Sequence, residues 1–486
     1  MNTEVASLSP SVLWTSFEEL NSIPRPSKKE ERVIAFLLDF GKNLGLETVQ
    51  DAIGNVIIRK PATPGMEDRK TVVLQAHVDM VCVKNAAVSF DFDTQGIESY
   101  IDNGWVKAKG TTLGADNGIG AAAAMAVLRS KDIEHGPVEA LFTIDEETGM
   151  TGAAELDPNI LTGSILLNMD TEDEGELCIG CAGGIDTNVN WSYTEESTTD
   201  AQVGLHITLR GLKGGHSGCD IHLGRGNANK LMNRLLWGTY KTFGLQVQSI
   251  DGGSLRNAIP RESFATVVVS QDKKEAFIQH VNALGAIIKD ELSTTEPSME
   301  ILVEETSLPA KVMTADAQEK LLAAIYACPN GVTRMSADIE GLVETSTSLA
   351  RIIVKEGTFE SQSLTRSSVD TAKLDVANQI ESGYHLIGAT VEHSGSYPGW
   401  TPNPNSEILT VMQELHKEFF KKDAIVNAVH AGLECGIIGQ HYPEMDMISF
   451  GPTIKNAHSP DEMCEIETVD RFWGYLLETL KRIPKK

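Results

Sequence analysis

Three continuous apolar runs each end on charged, ligand-type side chains. Thr71–Ala76 runs into His77-Val78-Asp79, Val138–Ile144 into Asp145-Glu146-Glu147, and Ser164–Met169 into Asp170. A run that is apolar without alternation must be covered on both faces, so each predicts a strand inside an α/β sheet flanked by helices. Between the first two, Thr111 to Gly120 is a glycine-rich turn around Asp116-Asn117 that leads into an alanine-rich helix, Ala121–Leu128. In open α/β sheets, sites form beyond the carboxyl ends of the strands. The expected fold is therefore α/β, with the polar run-ends gathered along one edge of a mixed, mostly parallel sheet.

The flanking segments fit this frame. Ser27-Lys28-Lys29-Glu30 reads as a capping box opening a helix whose stripe is Val33, Phe36, Leu37, Phe40 and Leu44. After Gly183-Gly184 the texture becomes that of a separate α+β domain. Gly395 to Asn405, rich in Gly, Pro, Ser and Asn, reads as a return linker. The expected organisation is a first catalytic segment 1–184, an inserted α+β domain 185–395, and a second catalytic segment 396–486.

A formal charge of −27 argues against nucleic acid and against an anionic membrane surface as partners. No apolar run approaches the ~18 residues of a membrane span, and the N-terminal residues lack the pattern of a signal peptide. The seven cysteines are scattered and odd in number, as in a reducing compartment. The expected location is cytoplasmic.

The candidate metal ligands are His77, Asp116, Glu147, Asp170 and His458. Nitrogen and oxygen donors suit zinc, and also manganese or cobalt. Two divalent ions balance three carboxylates plus a hydroxide, whereas one ion leaves a costly buried negative charge. Glu146 and Glu147 are adjacent, so in extended chain they point to opposite sides. One can then ligate while the other acts as general base. Asp79 shares a face with His77 and is placed to orient it.

Five stretches together carry a family resemblance: Leu74–Met80, Gly114–Gly120, Thr143–Gly149, Asn168–Asp170 and Asn456–Pro460. In this order the chain resembles the M20 metallopeptidases, and among them the bacterial dipeptidases. The resemblance implies that His77 and Asp170 hold one metal, Glu147 and His458 the other, and that Asp116 bridges both. It makes Glu146 the general base and Asp79 the support of His77, with a cis peptide at Asp116-Asn117. It implies two divalent ions per subunit, Zn2+ foremost, with Co2+ or Mn2+ able to substitute.

The resemblance further implies that the insert is a lid and dimerisation domain, so that the partners are a small peptide substrate and a second copy of the chain. His216, in Gly214-Gly-His-Ser-Gly218, matches a lid histidine that stabilises the oxyanion; the other reading is a turn histidine. Asn257 matches a lid position near substrate, or caps a turn before Pro260. Arg366 clamps the substrate carboxylate, or is a solvated surface arginine. His430 to Gly436 lines the substrate pocket, or is a tight strand-to-helix turn. The implied activity is hydrolysis of unblocked dipeptides, Xaa-His included. The alternatives are an M20 tripeptidase, an N-acyl amino acid amidohydrolase, or a non-catalytic metal-binding protein. Cys178 and Cys181 have redox spacing without a helix start to activate them.

Overall fold

The computed structural model describes residues 2–486. The chain forms two compact units. The first comprises residues up to Gly180, Trp400–Ala428 and Leu433–Lys486; the second comprises Cys181–Gly399 with Val429–Gly432.

The first unit is built on an eight-stranded sheet. Its strands are β1 (Glu47–Gln50), β2 (Val56–Lys60), β3 (Val72–His77), β4 (Val138–Thr143), β5 (Ile165–Asn168), β6 (Glu176–Cys181), β7 (Ile425–Val429) and β8 (Asp446–Ser449). They lie in the order β1-β2-β4-β3-β5-β8-β6-β7. The central neighbours β4-β3-β5-β8 are parallel, and β1, β2 and β6 pair antiparallel at the flanks. Every residue of β3, β4 and β5 is buried, the polar Gln75, His77, Glu139, Thr143 and Asn168 among them, as expected of strands covered on both faces. Parallel pairing of these three strands brings their carboxyl ends to the same edge.

The helix that follows the glycine-rich turn is longer than expected. It spans Ala115–Arg129 and is kinked at Asp116-Asn117, where the peptide bond is cis. Its residues Asn117–Leu128 are all buried. The alanines keep it thin, so it packs both on β3 and on the helix Ser11–Asn21. The loop before it turns at Gly114, which is left-handed (φ 69°); a Cβ there would lie 2.5 Å from Arg25 Nη2.

The second unit is a nine-stranded sheet backed by the helices Ala228–Phe243, Lys274–Glu291, Ala315–Ala327 and Asp370–His385. Leu205, Ile207, Val267, Leu349 and Phe359 from the strands share one apolar core with Met232, Leu236, Phe277, Leu321 and Ile380 from the helices. Its pairings are antiparallel throughout.

Local readings are corrected at two places. The capping box does not form: Glu30 sits at the N-cap of helix Glu31–Asn43 without a side-chain cap. Ser27 Oγ donates instead to Asp79 Oδ2 (2.8 Å), and Glu30 Oε1 accepts the N–H groups of Lys28 and Asp145 (2.9 and 3.0 Å). Ser27 is thus drawn to a carboxylate at the buried edge, while Glu30 shares one oxygen between a local and a distant N–H. The return linker is partly strand, since Thr390–Tyr397 pairs with Gly183–Ser192.

Gly118 offers a test of the packing around the thin helix. A Cβ there would lie 2.8 Å from Arg25 Nη2 and 3.1 Å from the Phe17 ring. Overpacking costs about 1–3 kcal/mol, more than the ~1 kcal/mol that alanine gains over glycine in a helix. Gly118→Ala is therefore expected to lower the thermal midpoint; a raised midpoint contradicts this packing.

Candidate active site

The shared edge concentrates the polar run-ends. His77, the last residue of β3, is buried, with Nε2 3.1 Å from Asp116 Oδ1 and 3.4 Å from Asp170 Oδ1. The other oxygen of Asp116 lies 3.1 Å from His458 Nε2, which is also 2.9 Å from Glu147 Oε2. Asp116 thus stands between two imidazoles. Its neighbours form two groups of three ligand atoms, His77/Asp116/Asp170 and Asp116/Glu147/His458, each within 4.8 Å. Glu146 joins His77 and Glu147 in a third such group.

The local folding explains these directions. The chain is not extended at Glu146-Glu147, contrary to the sequence reading. Asp145 is left-handed (φ 53°) and Glu146–Gly149 make one helical turn. The N–H of Glu146 donates to Asp79 Oδ1 (3.0 Å) and that of Glu147 to Asp79 Oδ2 (3.2 Å). Asp79 Oδ1 also lies 3.4 Å from His77 Nδ1. With Nδ1 turned to this carboxylate, Nε2 faces the cluster. Asn117 Nδ2 donates to Asp170 Oδ1.

Charge in this space is balanced by protons when no cation is bound. Burial opposes a proton on His77, but Asp170, Asp116 and Asp79 outweigh it and hold its pKa well above the usual range. Hydrogen bonds to Asp116 and Glu147 push His458 up to about 11. Burial works against the Asp116 charge, yet the two imidazoles hold its carboxyl well below the usual range. Burial raises Asp170 to about 6 and Glu146 well above its ordinary value. Glu147 Oε1 is buried with no hydrogen-bond partner among the described residues. An orphaned carboxylate oxygen within a nitrogen and oxygen donor set is what a divalent cation satisfies, so the residues fit one.

Three further groups escaped the sequence reading. Burial raises Glu172, two residues past Asp170 and within charge range of Asp116, to about 8. Arg25 is buried and donates to the carbonyls of Val78 (3.0 Å), Asp79 (3.1 Å) and Gly114 (2.7 Å). Glu462 is buried: Oε2 accepts the N–H groups of Leu113 and Gly114 (2.7 and 2.9 Å), and Oε1 those of Ala115 and Asp116 (2.7 and 3.2 Å). The turn that carries Asp116 is thereby held by its carbonyl on one charge and by its amides on the other. Only Glu172 left a signal in the sequence, the two-residue alternation past a strand end.

In the second unit, His216 Nδ1 accepts the N–H groups of Gly218 (3.2 Å) and Cys219 (3.0 Å), which leaves its proton on Nε2. Burial and the Arg366 charge hold His216 down at about 4, so the ring is neutral near pH 7. Nε2 is 3.4 Å from Arg366 Nη2. Arg366 is a buried strand residue rather than a solvated one, and its Nη1 donates to Tyr397 Oη (2.9 Å). Asn257 is exposed, and its carbonyl accepts the Ser217 N–H (2.7 Å). His430 is buried against Ser346 Oγ (2.8 Å).

Comparisons with known proteins give the family. The family model described as peptidase family M20/M25/M40 matches residues 73–482. The chain belongs to the M20 peptidase family. It is therefore a peptide hydrolase. It is 45% identical to the cytosol non-specific dipeptidase of Escherichia coli (strain K12), over 100% of both chains. It is similar to the crystal structure of aminoacylhistidine dipeptidase from Vibrio alginolyticus, with TM-score 0.93, 47% identity, and coverage of 99% of this chain and 98% of that one. The aminopeptidase PepT of Bacillus cereus shares the fold at 16% identity, with TM-score 0.62 and coverage of 98% and 99%. No helix among the described residues is long and apolar enough to cross a membrane.

Glu462→Gln tests the cradle. An amide offers one acceptor oxygen, so in either orientation its NH2 opposes a pair of backbone N–H groups that were bonded. At about 1–3 kcal/mol for each buried donor left unmade, the metal-free protein is expected to lose several degrees of thermal midpoint. An unchanged midpoint contradicts the fourfold contact.

Proposed function

We propose that this chain is a dinuclear metallodipeptidase that hydrolyses unblocked dipeptides, Xaa-His among them. The observation that carries the reading is Asp116 lodged between the two imidazoles, shared by two ligand groups, with Glu146 alongside. His77 and Asp170 hold one cation, Glu147 and His458 the other, and Asp116 both. Zn2+ is the proposed ion, with Co2+ or Mn2+ able to replace it. When bound, such a pair lowers the pKa of water and polarises the substrate carbonyl.

The chain's own residues do the rest. Glu146, grouped with His77 and Glu147, takes the proton of the attacking water. It then returns that proton to the departing amine, so proton and bond changes balance. Asp79 holds the imidazole of His77 and, through two N–H groups, the turn that carries base and ligand. A structural metal site needs no such base, which sets the catalytic reading above the binding one.

The inserted domain, 185–395, is proposed as the lid and dimerisation domain of a homodimer, between the catalytic segments 1–184 and 396–486. Its His216 Nε2–H and Arg366 guanidinium are facing donors suited to negative charge on the substrate, carboxylate or oxyanion. Asn257 is proposed to contact the substrate as well. The full-length likeness to a relative named as a cytosolic dipeptidase supports both the substrate class and a cytosolic location.

The test is hydrolysis of Ala-His, β-Ala-His, a tripeptide and an N-acetyl amino acid by metal-loaded protein and by Glu146→Ala. Dipeptides alone are expected to be cleaved, with the variant slowed by roughly 10²–10⁴-fold while both ions stay bound. Cleavage of the tripeptide or the acetylated substrate assigns a sister specificity, and no hydrolysis with metal present overturns the enzyme reading for these classes. Arg366→Ala is expected to raise KM for dipeptides about tenfold or more, by removing a charge-assisted contact. An unchanged KM removes Arg366 from substrate binding.

A further inference from the structure

Beneath the proposed metal site lies a buried carboxyl that the mechanism does not use. Glu434 opens the helix Glu434–His441 and is 0% exposed. Its Oε2 accepts from Gln75 Nε2 (2.6 Å) and from Thr143 Oγ1 (2.7 Å). Gln75 Nε2 also reaches Thr143 Oγ1 (3.1 Å), and Gln75 Oε1 accepts from Asn168 Nδ2. Asn168 Oδ1 in turn accepts the N–H of Asp170 (3.3 Å).

Each partner stands on a different strand, just before a functional run-end. Gln75 lies on β3 two residues before His77. Thr143 closes β4 three residues before Glu146. Asn168 closes β5 two residues before Asp170. These strands are neighbours, and Gln75 is in register with Asn168 as His77 is with Thr143. One carboxyl, from a helix more than two hundred residues further along the chain, therefore fastens three adjacent strand ends.

The arrangement is costly as mere packing. Gln75, Thr143, Asn168 and Glu434 are all buried polar groups, and Glu434 Oε1 has no hydrogen-bond partner among the described residues. Leucine-like side chains would fill this space at lower cost. What they would lack is a directional tie across the strands.

We propose that Glu434 is a positioning residue whose hydrogen bonds to Gln75 and Thr143, extended through Gln75 to Asn168, set the spacing of His77, Glu146 and Asp170 for metal binding. The inference rests on the two-metal reading above. Burial pushes the Glu434 carboxyl up to about 7, so it adds less negative charge to the cluster than an exposed glutamate does.

The test measures Co2+ binding to the metal-free full chain by equilibrium dialysis and by the visible spectrum of the bound ion. It compares wild type, Glu434→Ala, Glu434→Gln and Thr143→Val, with kcat, KM and thermal midpoint for each. Groups that orient ligands alter metal affinity by roughly 10–100-fold. Glu434→Ala is expected to lose that much affinity, to change the Co2+ spectrum, and to lower kcat with KM nearly unchanged. Glu434→Gln keeps an acceptor oxygen and is expected to recover most of the affinity. Thr143→Val, nearly isosteric, is expected to fall between, and it decides the matter should Glu434→Ala not fold. A lowered midpoint with native affinity and spectrum in all variants makes Glu434 merely structural and overturns the proposal. Failure of wild type itself to bind two ions overturns the two-metal reading instead.

Discussion

Negative charge brought to one buried edge is the constraint on which the first unit depends. Parallel pairing of β3, β4 and β5 makes their carboxyl ends coincide, so His77, Glu146, Glu147 and Asp170 meet whether or not their charges favour it. Asp116 enters from the turn before the buried helix. Carboxylates this close in a low-dielectric space repel strongly, and burial alone raises their pKa values. The fold answers with donors. Arg25 lies below the edge, the backbone N–H groups of residues 113–116 converge on Glu462, and those of Glu146 and Glu147 converge on Asp79. The imidazoles carry protons where the carboxylates outnumber everything else.

How much of this was legible in the sequence follows from the range of each interaction. The three strands were legible because burial on both faces writes itself as an unbroken apolar run. Their polar ends were legible because the run stops where the site begins. The Glu146 turn was not, because a left-handed Asp145 is stabilised by Thr148 and Thr151 hydroxyls and by Glu30, not by any pattern of hydrophobicity. Ser27 and Glu30 show the same limit from the other side. Their spacing satisfies a local rule, yet Ser27 bonds to Asp79 and Glu30 to Asp145 as well as to Lys28. Arg25, Glu462 and Glu434 left no periodic mark at all, since each is a single polar residue whose role is set by what the fold places beside it.

The inserted unit solves a different electrostatic problem. Two backbone N–H groups donate to His216 Nδ1, and burial together with the Arg366 guanidinium keeps the ring neutral near pH 7, with Nε2 on the side of that guanidinium. An imidazolium beside Arg366 would repel it and cost stability. A ring whose pKa is held down at about 4 and a permanent cation both keep their charge state through the neutral range.

Asp79 shows why the arrangement behaves as one device rather than as separate parts. Its two oxygens are divided among the His77 ring, the Ser27 hydroxyl and the amides of Glu146 and Glu147. The ring orientation of an imidazole on β3 is thereby tied to the backbone of a turn after β4. Asp170, after β5, is tied to the same strands from beneath through Asn168 and Gln75. Displacement of any one strand end by a fraction of an ångström is felt by the groups on the other two. The backbone ladders already fix the register of these strands, and polar side chains with two or more bonds add ties between the groups at their ends.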